Sequence, residues 1–174
     1  MSNALYLDCH AGIAGDMLLS ALVDLGADPK IIESELKQLP IDDFALHFQK
    51  KVKQGINAMT LNIDFHEHHH HRKASDIFKL IDDSQLSERV KQRSKAIFNT
   101  IAHAEAKIHG MTIEDVHFHE VGAMDSIIDI IGGCIALEQL GIDTLYCSPI
   151  PTGNGKINIA HGIYPIPAPA TAEI

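Results

Sequence analysis

Apolar and polar positions follow two periods along this chain, and the switches between them outline its elements. Ala4 to Cys9 is a short, mostly apolar run, the pattern of a strand buried on both faces. Beyond His10–Asp16, residues Met17, Leu18, Ala21, Leu22 and Leu25 recur at helical spacing, and Gly26 supplies a left-handed stop. Asp28 followed by Pro29 is an N-cap with proline in the first turn, opening a helix through Ile31, Ile32, Leu36 and Leu39 that ends at Pro40. Phe44, Leu46 and Phe48, then Met59, Leu61, Ile63 and Phe65, alternate with their neighbours. This predicts two half-buried strands that turn at Gln54–Gly55. An apolar helix is expected around Ile77–Ile81. The longest helix is expected over Ser84–His109, burying Leu86, Val90, Ile97, Ile101, Ala104 and Ile108, with Gly110 as its C-cap. Ile127, Ile128, Ile131, Ile135 and Leu140 predict another over Met124–Leu140, followed by strands at Thr144–Ser148 and Lys156–Ala160.

Helices alternating with strands point to an α/β fold, or α+β given the hairpin, with helices packed on a mixed sheet. Residues 1–147 form the expected single compact domain, with a histidine-rich loop at 66–71. Residues 148–174 are expected to be a Pro/Gly-rich extended segment leading to a C-terminal domain absent from this sequence. Five of the seven prolines fall after residue 148, and prolines at every second position fit neither a helix nor a central strand.

With 174 residues and 45% hydrophobic content, the chain is large enough to bury a core. Fourteen basic against 23 acidic residues give a net charge of −9, which argues against nucleic-acid and anionic-membrane partners and favours cations. No apolar run approaches the ~18 residues of a membrane span. Cys9, Cys134 and Cys147 are odd in number and lack CxxC spacing, so a reducing cytoplasm is the expected setting. The twelve histidines change the picture most, because imidazole is a ligand for borderline divalent metals.

The histidines and carboxylates gather at three places. His117-Phe118-His119-Glu120 precedes Val121-Gly122-Ala123 and the helix bearing Asp125 and Asp129. If residues 116–119 are extended, His117 and His119 share a face, while Asp125 and Asp129 share one at i and i+4. A solvated sheet face and ordinary helix-dipole chemistry explain the same residues without a metal. His66-Glu67-His68-His69-His70-His71 lies between a strand and a helix, where it reads as a metal-capturing loop or a solvated one. Asp8 and Asp16 flank the turn His10-Ala11-Gly12-Ile13-Ala14-Gly15, at a strand exit and a helix start. Its GxxGD spacing is neither a Rossmann fingerprint nor a Walker loop, so holding a phosphate on Gly12 and Gly15 is only a weak inference from spacing. Glu105 and His109 form a further i, i+4 pair.

Five stretches together, LDCHAGIAGDM, HEHHHHR, AEAKIHG, VHFHEVGAMDSIIDIIG and SPIPTGNGKINIAHGIYPIPAPAT, resemble the amino-terminal part of the LarC-type nickel-insertion proteins. That resemblance implies insertion of Ni²⁺ into pyridinium-3,5-bisthiocarboxylic acid mononucleotide, forming the nickel-pincer cofactor of lactate racemase and similar enzymes. It also implies dependence on CTP and on Mg²⁺ or Mn²⁺, expected through the further carboxy-terminal domain, which nothing here matches. The expected partners are therefore the pyridinium mononucleotide, nickel, and that domain or a second polypeptide carrying it. A homo-oligomer is allowed. The expected ligands are Asp8, His68, His69, His70, His71, His117, His119 and Asp125. Glu120, His117, His119 and Asp16 are the candidate acid/base groups, and Glu120 or one of the two histidines is nominated to accept the proton that leaves the ring. The rivals are a nickel carrier using only the histidine loop and a metal-dependent phosphoesterase using Asp8, Asp16, His117, His119 and Asp125.

Overall fold

The computed structural model describes residues 3–65, 72–118, 121–159 and 162–174. In chain order its elements are β1 (Asn3–Leu7), α1 (Gly15–Leu25), α2 (Pro29–Leu36), β2 (Phe44–Lys53), β3 (Ile56–Phe65), β4 (Arg72–Lys73), α3 (Ala74–Asp82), α4 (Glu88–His109), a 3₁₀ turn (Ile113–Asp115), β5 (His117–Phe118), α5 (Met124–Gln139), β6 (Ile142–Cys147), β7 (Lys156–Ile159), β8 (Gly162–Pro165) and α6 (Pro169–Glu173). The expected α/β class holds. Parallel and antiparallel pairing both occur, as separate two-stranded ladders: β1 with β6 in parallel, and β2 with β3, β4 with β5 and β7 with β8 antiparallel.

The core is organised around α5. Its sequence is apolar on nearly every side, and Met124, Ile127, Ile128, Ile131, Cys134, Ile135 and Ala136 are all buried, as expected of a helix enclosed by others. Helices α1, α2 and α4 surround it. Gly132 permits the approach of α1 and α2: a Cβ there would lie 3.2 Å from Leu19 and 3.4 Å from Leu36. Asp28 caps α2 by accepting the Lys30 N–H at 2.8 Å, ahead of Pro29 at the first position.

Several local expectations change. Helix α4 begins at Glu88, because Ser87 is its N-cap and accepts the Val90 N–H at 3.3 Å. Its buried face runs through Val90, Ser94, Phe98, Ala102 and Ala106, while Ile97 and Ile108 are exposed. That face meets α5 where Ser94 lies beside Cys134 and meets β5 where Phe98 packs on Phe118. Strand β1 is not buried on both faces: Tyr6 is 62% exposed, because the parallel pair stops at two strands among the described residues.

The β2–β3 hairpin turns at Gln54 (φ +50°) and Gly55 (φ +83°), with Phe44 opposite Phe65. Both central residues have positive φ, the turn whose twist matches paired strands. Within the proline-bearing stretch, β7 pairs with β8, and α6 lies against α4, where Lys107 meets Glu173 at 2.5 Å.

Candidate functional site

Two helix starts meet at the acidic end of the molecule. Ala14, the N-cap of α1, supplies no side-chain cap, so the first amides of that helix need an acceptor from elsewhere. Asp129, in the second turn of α5, provides one: the Asp16 N–H donates to its carboxyl group. Gly15 makes the contact possible, since a Cβ built there would lie 2.6 Å from both Cβ and Cγ of Asp129. The GxxGD spacing is therefore explained by a carboxyl group arriving from 114 residues further along the chain.

Burial, and then the negative charges of Asp16 and Asp125, push the Asp129 carboxyl up to about 7. Its Oδ1 is buried with no hydrogen-bond partner among the described residues. Asp16 and Asp125 are both exposed, and Asp125 Oδ1 accepts the Ser126 N–H at 2.7 Å. The starts of α1 and α5 thus place three carboxyl groups within electrostatic reach of one another.

Strands β4 and β5 pair beside His117. Arg72 is the register partner of Phe118, and Lys73 of His117. His117 is exposed while Val116 and Phe118 are buried, which is the alternation expected of an extended run here. Phe118 anchors the strand, its ring centroid 6.0 Å from that of Phe98. Arg72 Nη1 donates to the Gly122 carbonyl at 2.7 Å, tying this junction to the turn before α5. A Cβ on Gly122 would lie 2.7 Å from the Phe118 carbonyl oxygen, so that turn also depends on glycine. His68, His69, His70, His71, His119 and Glu120 themselves lie outside the described residues.

At the β1 exit, Asp8 is exposed and its Oδ1 lies 3.1 Å from His10 Nδ1. The Cys9 N–H donates to Ser148 Oγ at 2.8 Å, and the Ser148 N–H to the Leu7 carbonyl at 2.9 Å, so the exits of the two parallel strands are stitched together. Gly12 closes the turn, donating to the Cys9 carbonyl at 2.8 Å with φ +93°, and open space surrounds the position of a Cβ. Among the described residues no group of three or more His, Cys, Asp or Glu is arranged to hold a metal ion. Glu105 and His109 do meet, at 3.3 Å, on α4.

Two participants escaped the sequence reading as site residues. His10 beside Asp8 was taken only as part of a turn, although an Asp-x-His spacing at a strand exit was a usable signal. Asp129 belongs to the cluster of carboxylates and imidazoles that the sequence sets around the start of α5, but its spacing there points only toward Asp125. That it answers the start of α1 is a tertiary fact no local pattern carries.

Fold and site define a single α/β domain whose carboxyl groups gather where two helices begin, with His117 on a short strand pair nearby. The sequence profile described as nickel insertion protein matches residues 5–174, and the chain belongs to that family. It is similar to the pyridinium-3,5-bisthiocarboxylic acid mononucleotide nickel insertion proteins of Staphylococcus epidermidis and Staphylococcus saprophyticus, at 81% and 74% identity over all 174 residues. It is also similar to the Geobacillus kaustophilus protein of the same name, at 52% identity over 98% of this chain. In each case it spans 44% of the relative's length. No solved structure matches the chain.

Proposed function

We propose that this chain forms the nickel-handling part of a system that inserts Ni²⁺ into pyridinium-3,5-bisthiocarboxylic acid mononucleotide, the reaction its relatives' names describe. The observation that carries this reading is the Arg72–Phe118 pairing. Arg72 follows His68–His71 in the chain and Phe118 precedes His119 and Glu120, and the pair itself lies beside His117 and the turn into α5.

Nickel is the cargo in this scheme. The loop His68, His69, His70 and His71 captures it, imidazole being a good ligand for a borderline cation. His117 and His119 receive it, with Asp125 and Asp8 as the carboxylates of the receiving side. Forming a carbon–nickel bond on an aromatic ring releases a proton, and Glu120 is placed in the role of acceptor, with Asp16 contributing charge at the start of α1. Gly12 faces the mononucleotide, a role supported by the open space around it, while Gly15, first assigned to the same role, is taken up by its contact with Asp129. The insertion is of the lyase or chelatase type. CTP and Mg²⁺ or Mn²⁺ are assigned to the part of the relatives beyond this match, and no step here runs through them. The 174-residue chain alone is therefore expected to bind nickel without completing the reaction, in the cytoplasm. Among the described residues, no helix is long and apolar enough to cross a membrane.

Equilibrium dialysis against Ni²⁺ tests the reading. A variant with His68, His69, His70 and His71 replaced by Ser should lose most bound nickel but keep a second site that His117→Ala then removes. Loss of all nickel with the loop alone would leave only a carrier. In the full-length S. epidermidis relative, the change matching Glu120→Gln should abolish cofactor formation while nickel uptake persists. Unchanged cofactor formation would remove Glu120 from the proton-accepting role.

A further inference from the structure

The β1–β6 pair is the least finished part of the fold. Parallel strands occur in sheets covered on both faces, and two strands alone are marginally stable. Here the register sets Tyr6 beside Tyr146 and Leu5 beside Leu145. Yet Tyr6 is 62% exposed, Tyr146 61% and Leu145 47%, and past Ile142 every residue of β6 is exposed. Among the described residues neither strand has a second neighbour, so each offers an unpaired backbone edge. Two adjoining exposed tyrosines on one face, and Leu145 on the other, flank an open parallel edge suited to strand addition with an apolar cover on each side.

We propose that this surface seats the region that the longer relatives carry beyond the part matched by this chain, so that Asp8, His10 and Gly12, which follow β1 directly, lie at the seam between the two. The occupant follows from length and charge. The chain accounts for 44% of each of those relatives, leaving more than half of the polypeptide to be packed somewhere. A second copy is disfavoured: the chain carries a net charge of −9, so self-association would bring two strongly acidic molecules together. The proposal stands apart from the nickel chemistry, because its readouts involve no metal.

The test uses the full-length S. epidermidis relative, with p-benzoylphenylalanine at the position matching Tyr146 and, as a control, at that matching Val52 on the remote hairpin. After illumination, mass spectrometry should find the Tyr146 probe joined to a peptide from beyond the matched region of the same polypeptide, and the Val52 probe not joined to it. A link to a second copy, a link only within the matched region, or no link would overturn the proposal. A paired measurement guards against a poorly placed probe. Leu145→Lys should leave the melting temperature of the 174-residue chain nearly unchanged and lower that of the full-length relative. Equal effects in the two would overturn the proposal as well.

Discussion

Gly15 and Asp129 are in contact across two helices: the carboxyl group of one occupies the space a side chain on the other would need. This single contact joins the turn after β1 to the second turn of α5. A methyl group at position 15 must displace Asp129 or tilt α1. Gly15→Ala is expected to cost about 1–3 kcal/mol, the usual range for an overpacked site. Combined with Asp129→Gly, it should cost less than the two single changes added together. Urea denaturation of the four proteins measures that coupling.

Protonation of Asp129 gives a second prediction. The group ionises at about 7 in the folded chain against an ordinary 3.8. As pH rises past 3.8 the unfolded chain ionises while the folded one keeps its proton, so this group's contribution to stability is lost progressively up to about pH 7 and changes little above it. Asp129→Asn should therefore raise the melting temperature relative to the parent at pH 8, with the difference narrowing at pH 5. A constant offset at both pH values would show that the carboxyl is not held protonated.

Phe118 fixes the strand from which His117 projects. Phe118→Ala removes a fully buried ring packed against Phe98 and should destabilise by about 3–5 kcal/mol. If the strand positions the nickel-receiving groups, Phe118→Leu, which keeps most of the volume, should weaken nickel binding more than it lowers the melting temperature. Nickel titration and thermal melts on the same samples separate the two effects.

Ser87 sets where α4 begins. Ser87→Ala should cost about 1 kcal/mol, read by chemical denaturation, while Ser87→Asp should be close to neutral because aspartate caps equally well.

Much of this was legible in the chain. The Gln54–Gly55 hairpin, the Asp28–Pro29 helix start, the glycine stop at Gly26 and the i, i+4 geometry of Asp125 and Asp129 all depend on neighbours in sequence, and all appear. What failed depended on partners distant in sequence. Ile97 and Ile108 were expected to be buried by hydrophobicity, but the buried face of α4 runs at four-residue spacing through Val90, Ser94, Phe98, Ala102 and Ala106, whose small or polar members a hydrophobic pattern passes over. Tyr6 was expected inside because an apolar strand implies neighbours, and the number of those neighbours is not written in the strand. At the site, the positions of Asp8, Asp16 and Asp125 at strand exits and helix starts were readable, whereas the Asp129 contact with Gly15 and the Arg72–Phe118 register needed the folded chain.

Because α5 is enclosed by α1, α2 and α4, it can neither slide nor roll without breaking contacts on several sides at once. The azimuth of Asp125 and Asp129 is locked by the same packing that stabilises the fold. If Asp125 holds the cation as proposed, fitting ions of different radius falls to groups borne outside this helix. Engineering the protein toward another metal should begin with those groups and leave α5 untouched.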